Sequence, residues 1–204
     1  MAEVAAIILA AGQSSRFRQA SAIATKLVAP WGSETMLAHV VRMALASRTR
    51  PVLVVTGHAR EQVEAALSGL PVTFVHNAGF ASGLAGSLKT GIAAVPAECA
   101  GALVLLGDMP LVRSVTCDAL VAAFEAADGE TSAVVPVWQG QIGNPPLLAR
   151  CLFDTIAQLK GDEGARRLFT QAGTNLVRVD VDDSGILADA DTPDALAALH
   201  AGKD

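Results

Sequence analysis

Short, nearly unbroken apolar runs recur along the chain. Val4–Ala10 (VAAIILA), Pro51–Gly57 (PVLVVTG), Pro71–His76 (PVTFVH) and Gly101–Gly107 (GALVLLG) are the clearest. Continuous apolar character, rather than strict alternation, is what parallel strands covered on both faces require. Between these runs the polar positions fall at helical spacing, which predicts helices over Glu34–Ser47, Ala59–Leu67 and Gly83–Val95. From Thr35 to Ala46 only Thr35, His39 and Arg42 are polar, so most of that helix surface is apolar. Strand and helix in alternation imply right-handed βαβ units. The fold class predicted is α/β: a single domain over residues 1–204, Rossmann-like, with a mostly parallel, doubly wound sheet.

The second half is less regular. Ser114–Ala126 reads as a helix, Ser132–Trp138 as a strand, and Gly140–Leu148 as a turn with a return. Helices are expected near Ala149–Lys160 and Glu163–Ala172, a strand over Asn175–Val181, and a closing helix over Pro193–Ala201. Gly140–Pro146 is the best place for a subdomain-like loop. There is no repeat, low-complexity tract or evident linker.

Four stretches carry candidate chemistry. The first runs from Leu9 through Ala10, Ala11 and Gly12 to Ser14, Ser15 and Arg16, with Lys26 downstream. A strand that ends in glycine and continues through small and hydroxyl residues can turn backbone N–H groups toward an anion. Arg16 offers a planar fork for phosphate and Lys26 a point charge. Neither GxxxxGK[ST] nor GxGxxG is present, so this is not a P-loop or a dinucleotide fingerprint. An ordinary surface loop is the alternative.

The second stretch is LLGDMP, Leu105–Pro110. Asp108 follows a central strand, where open α/β sheets bind ligands, and a carboxylate there can hold Mg²⁺. A helix cap or turn aspartate is the alternative. The third is ADADTPDAL, Ala188–Leu196. In an extended segment Asp189 and Asp191 point the same way, and could complete a metal site with Asp108. Otherwise Asp191 or Thr192 caps the last helix. The fourth is Asn77–Gly91, whose glycines, with Ser82, Ser87 and Lys89, suit a loop that approaches a ligand and enters a helix.

In chain order, LAAGxSxR with a later lysine, N…G…S-L (Asn77–Leu88), LGDMP, GNPxLL (Gly143–Leu148), GDxGAR (Gly161–Arg166) and DxDTPxxL (Asp189–Leu196) resemble the MobA-like nucleotidyltransferases. Among these the resemblance is greatest to the molybdenum cofactor cytidylyltransferase branch, since LAAG stands here rather than LAGG. The resemblance spans nearly the whole chain. It implies the nucleotide-diphospho-sugar transferase type of Rossmann-like fold. It also implies transfer of CMP from CTP to the phosphate of molybdenum-bound molybdopterin, with pyrophosphate released and Mg²⁺ as cofactor. Carried over residue by residue, Arg16, Lys26 and Asp108 would be catalytic. Leu9, Ala10, Ala11, Gly12, Lys26, Gly83 and Ser87 would bind nucleotide, and Asp108 with Asp189 or Asp191 would hold the metal. Gly143, Asn144, Pro145, Asp162 and Arg166 would face the second substrate, and a molybdenum hydroxylase is a partner the family suggests.

The opening loop departs from the family pattern. Phe17-Arg18-Gln19 stands where a glycine is usual, and ASAIAT delays the lysine. A loop relaxed in this way would also suit an NAD(P)H-dependent oxidoreductase on the same scaffold, such as the nicotine blue oxidoreductase. A non-catalytic accessory protein for a molybdenum hydroxylase is a further alternative.

Composition narrows the field. The net charge of −5 argues against a broad nucleic-acid footprint, and the absence of tyrosine argues against base-stacking platforms. Cys99, Cys117 and Cys151 lack paired spacing, so neither a disulfide framework nor a zinc site is expected. Four histidines without a serine or cysteine nucleophile motif give no hydrolase triad. The apolar run at Val4–Ala11 is too short to span a membrane and lacks a basic region before it. A cytoplasmic protein without a membrane partner is expected.

Overall fold

The computed structural model describes residues 2–15, 17, 23, 25–127, 129, 131–170 and 175–201. Its centre is β1 (Val4–Ala10), flanked by β4 (Val52–Thr56) and β6 (Gly101–Leu106), both parallel to it. Beyond β4 lies β5 (Thr73–His76), again parallel. On the other side come β9 (Leu147–Ala149), β7 (Ala133–Trp138) and β10 (Leu176–Asp180), giving the order β5-β4-β1-β6-β9-β7-β10. The two-residue β8 (Gln141–Ile142) pairs antiparallel with β7. A small hairpin of β2 (Pro30–Trp31) and β3 (Glu34–Thr35) stands apart from this sheet.

Apolar residues on both faces of β1 explain why it is central. Val4, Ala6, Ile8 and Ala10 enter one core, while Ala5 and Ile7 enter the other. The first core is closed by α1 (Met36–Ala46), α2 (Arg60–Ala66) and α4 (Ser114–Ala126). The second is closed by α3 (Leu84–Ala93) and a single turn, α5 (Phe153–Ile156). The last helix, α6 (Pro193–Ala201), contributes Leu196 to the first core. The sheet is doubly wound and mostly parallel.

The winding has a functional consequence. From β1 the chain moves outward to β4 and β5, then crosses back to place β6 on the opposite side of β1. Loops leaving the carboxyl ends of β1 and β6 therefore diverge and open a crevice between them.

Several expected elements shift. Glu34–Thr35 is not helical: it pairs with Pro30–Trp31 across Gly32, whose φ is 61°. Thr35 then caps α1, its Oγ1 accepting from Ala38 N at 3.2 Å. The return at Gly140–Leu148 becomes β8 and then β9, which inserts antiparallel between β6 and β7. The predicted helix Ala149–Lys160 shrinks to a 3₁₀ turn (Arg150–Leu152) and α5, because β9 claims Ala149 and the Arg150 guanidinium anchors on the carbonyls of Cys99 and Pro96. Glu163–Ala172 is replaced by 3₁₀ turns over Ala165–Thr170, following the glycines at 161 and 164; positions 171–172 lie outside the described residues. Among the described residues, no helix is long and apolar enough to cross a membrane.

Candidate active site

A cavity of about 480 Å³ opens at the crossover between β1 and β6. One wall is the exit of β1, from Leu9 and Ala11 through Gly12 to Ser15. The opposite wall is Phe80–Ala81 with Gly83, Leu84 and Ser87 at the start of α3. Lys26, Asp108, Asp189 and Asp191 also line it, with Asp162 near the α3 terminus.

Lys26 is the electrostatic centre. Its Nζ lies 2.5 Å from Asp108 Oδ2 and 2.6 Å from Asp191 Oδ1. Burial opposes charge on the ammonium. The charge and hydrogen bond of Asp108, with those of Asp191, outweigh it and raise the Lys26 pKa above its ordinary value of 10.5. Lys26 is therefore a cation throughout the neutral range.

Local folding explains how residues so far apart in sequence meet. Asp108 follows β6 through Gly107, whose N–H donates to Leu9 O at 3.1 Å and draws the β6 exit onto β1. Ala190 donates its N–H to Asp108 O at 3.0 Å and is itself buried. That leaves its neighbours Asp189 and Asp191 on the cavity side, as alternation in an extended segment predicts. Thr192 Oγ1, not Asp191, accepts from Ala195 N at 3.1 Å and caps α6, so the Asp191 carboxylate serves Lys26 instead.

The delayed lysine is brought back by a hydroxyl clasp. Ser14, at φ 50°, places Oγ 3.0 Å from Thr25 Oγ1, and Lys26 N donates to Ser14 Oγ at 3.3 Å. Thr25 is fully buried and also accepts from Leu27 N at 3.4 Å. Ser14 and Thr25 are thereby held together, so the Gly12–Ser15 loop and Lys26 share one wall. Phe17 is buried in the first core; Arg16, Arg18 and Gln19 lie outside the described residues.

The α3 wall depends on close backbone approach. Gly83 has φ 104°, and a Cβ there would strike the Gly161 carbonyl. Ala85 N donates to Gly161 O at 3.0 Å and Leu84 N to Asp162 Oδ1 at 3.4 Å, so the Gly161–Asp162 turn caps α3. Opposite, a Cβ at Gly57 would come within 2.7 Å of the Ala11 Cβ and 2.6 Å of Phe80 Cβ, so this glycine sets the spacing of the two walls.

Of the residues singled out from sequence, Leu9, Ala11, Gly12, Lys26, Gly83, Ser87, Asp108, Asp162, Asp189 and Asp191 line the cavity. Ala10 does not: its side chain points into the first core, one strand position out of phase with Leu9 and Ala11. Gly143, Asn144, Pro145 and Arg166 do not line it either. Gly143 packs against Ile186, Asn144 N donates to Ile186 O at 2.9 Å, Asn144–Pro145 is a cis peptide, and Arg166 donates to Ile142 O at 2.9 Å. These residues brace the β8 return. Nor do Asp108, Asp189 and Asp191 make a ready metal cage, because Lys26 sits between two of them. Among the described residues no cluster of three His, Cys, Asp or Glu side chains is set to hold an ion.

Sequence reasoning missed Asp183. Buried, it accepts from Arg113 N at 3.0 Å, Thr116 Oγ1 at 2.5 Å and Gly185 N at 3.0 Å. It thus supplies the cap that Arg113 cannot give α4, and anchors the segment leading to Asp189 and Asp191. Its signal was the DDSG turn, Asp182–Gly185, but the partner helix is about seventy positions away.

The chain is similar to several known proteins. The molybdenum cofactor cytidylyltransferase of Escherichia coli is 29% identical over 195 residues, covering 95% of this chain and 94% of that protein. The bifunctional protein GlmU of Alkalilimnicola ehrlichii is 33% identical over 177 residues, 84% of this chain; the chain spans only 36% of that longer relative. The crystal structure of an Rv0371c homologue from Mycobacterium sp. strain JC1 superposes with a TM-score of 0.82 at 28% identity, covering 98% of this chain and 96% of that one. The model of the MobA-like NTP transferase domain matches residues 6–176, and the chain belongs to that family of nucleotidyltransferases.

Proposed function

We propose that this protein transfers CMP from CTP to the phosphate of molybdenum-bound molybdopterin, releasing pyrophosphate. The observation that carries the reading is the Lys26 ammonium held between Asp108 and Asp191 at the mouth of the β1–β6 crevice. A cation and two carboxylates beside a glycine loop suit a triphosphate bound with a divalent ion. The cytidylyl choice is supported by the E. coli relative and by Ala11, whose methyl lies on the cavity wall.

The donor set fits Mg²⁺ once the Lys26 ammonium moves from between the carboxylates. That ion needs only one or two carboxylates when phosphate oxygens and water complete its shell, and Asp108 and Asp191 converge on one point. Asp189 lines the same cavity and is the alternative to Asp191. When bound, Mg²⁺ supplies positive charge that offsets the triphosphate.

In the reaction an oxygen of the acceptor phosphate forms a bond to the α-phosphorus of CTP. The α–β bridging bond breaks, and its electron pair leaves with pyrophosphate. The acceptor is already anionic, so no side chain has to take a proton from it. Lys26 would leave its carboxylates for the phosphates and stabilise charge as pyrophosphate departs; Arg16 would be the second cation. The N–H groups of Gly12–Ser15 would orient the phosphates, while Gly83–Ser87 would lie along the ribose and base. The acceptor would enter past Asp162. Gly143–Pro145 and Arg166 would serve it indirectly, by fixing the β8 return.

The test is pyrophosphate release from CTP with Mg²⁺ and molybdenum-bound molybdopterin, alongside chromatography of the dinucleotide product. The proposal expects both with CTP and far less with GTP. Release with GTP in preference to CTP would sink the nucleobase assignment. No release with either would sink the transferase reading.

A further inference from the structure

The wall opposite the glycine loop contains a side chain whose hydrogen-bonding direction is fixed from behind. Asn77 is buried just after β5, and Ser87 is buried on the first turns of α3 with its face on the cavity. Asn77 Oδ1 accepts from Gly79 N at 3.0 Å. A backbone N–H can only donate, so that end of the amide must be the carbonyl oxygen. The other end is then the amino group, and it donates to Ser87 Oγ at 3.1 Å. Gly79 thereby fixes the Asn77 rotamer, and Asn77 fixes the serine.

A serine hydroxyl has one proton. With Asn77 donating to its oxygen, Ser87 has no use for that proton on the Asn77 side. Among the described residues Ser87 Oγ has no second side-chain or backbone partner, and Ser87 is one of the residues that line the cavity. We propose that Asn77 is a positioning residue for the bound nucleotide. It makes Ser87 an obligate donor into the cavity, so that the bound nucleotide must present a hydrogen-bond acceptor there. Cytosine carries two such acceptors on its pairing edge, O2 and N3. The proposal rests on the nucleotide-binding reading of this cavity and adds the polarity of one contact on the α3 wall.

Asn77→Asp is the discriminating substitution. It keeps an oxygen for Gly79 N, so the turn is retained, but it replaces the amino donor with an acceptor. Ser87 must then turn its proton inward to the carboxylate and show lone pairs to the ligand. Binding of CTP by calorimetry, in wild type, N77D, S87A and N77D/S87A, reads the effect. Cytidine as a second probe removes repulsion between the new carboxylate and the triphosphate. The proposal expects N77D to weaken both ligands about tenfold, the worth of one hydrogen bond. S87A should lose a similar factor, and the double variant should bind like S87A alone. N77D binding cytidine like wild type would overturn the proposal, as would losses that simply multiply in the double variant. If wild type binds neither CTP, UTP, GTP nor ATP, the nucleotide reading itself fails and the inference falls with it.

Discussion

Lys26→Met isolates the central feature, since it keeps the aliphatic stem and deletes the ammonium. Asp108 and Asp191 then face each other without their shared cation. Breaking a fully buried pair costs about 3–5 kcal/mol, whereas an exposed pair contributes about 0–1 kcal/mol. Here Lys26 and Asp108 are 13% and 17% exposed, but Asp191 is 37% exposed, so solvent screens part of the interaction. A loss of about 1–2 kcal/mol follows. For a chain of this length that lowers Tm by about 2–8 °C. The Lys26 pKa is raised, so its contribution is complete below 10.5, the unfolded value, and is lost as pH climbs through the higher folded one. Melting curves between pH 6 and 9 therefore read the whole effect. Millimolar Mg²⁺ should restore much of the lost Tm in the variant, because a divalent ion then neutralises the two carboxylates. Pyrophosphate release should fall about 10²–10³-fold, the usual loss for a group that stabilises transition-state charge. A variant with unchanged Tm, no response to Mg²⁺ and full activity would refute this account of Lys26.

Three other perturbations test the supporting structure. Thr25→Val removes the hydroxyl that meets Ser14 and Leu27 N; about 1–2 kcal/mol of stability should be lost by denaturant titration, with weaker CTP binding, and wild-type affinity would show that the clasp is dispensable. Gly83→Ala forces a side chain into φ 104° against Gly161, so thermal scanning should show a loss of at least about 1–3 kcal/mol; a neutral result would contradict the close approach. Among the cysteines, exposed Cys151 should alkylate quickly at pH 8, whereas Cys117, whose thiol burial pushes up to about 12, should react only after unfolding; rapid labelling of Cys117 in the native state would contradict its place in the core.

The parallel half of the sheet was legible because its strands are buried on both faces. Ile7 and Ile8 go to opposite cores, and that requirement is written into the sequence as an unbroken apolar run. The cavity residues were legible for a related reason: Gly12 and Asp108 stand at the ends of such strands, where the topology leaves a crevice. The β9 insertion was not, since three residues after Pro145-Pro146 are too few to show a period. The 3₁₀ turns after Ala149 were read as helices because their apolar spacing is helical, while their geometry is set by Arg150 and the glycines at 161 and 164. Contacts between distant polar groups left no local trace. The Ser14–Thr25 clasp, the Asp183 cap on α4 and the Lys26 bridge between two carboxylates each depend on tertiary placement. The bridge also bears on the metal expectation, because Lys26 sits between Asp108 and Asp191, two of the carboxylates expected to hold the ion.

If this crevice binds CTP with a divalent ion through Lys26 and its carboxylates, the melting temperature should report it. The most direct test is a thermal-shift measurement with CTP, GTP, ATP and NADPH, each with and without Mg²⁺. The largest rise in Tm is expected with CTP and Mg²⁺ together, a smaller rise with CTP alone, and loss of both in Lys26→Met. A shift with NADPH alone, or a CTP shift that survives Lys26→Met undiminished, would contradict this binding mode.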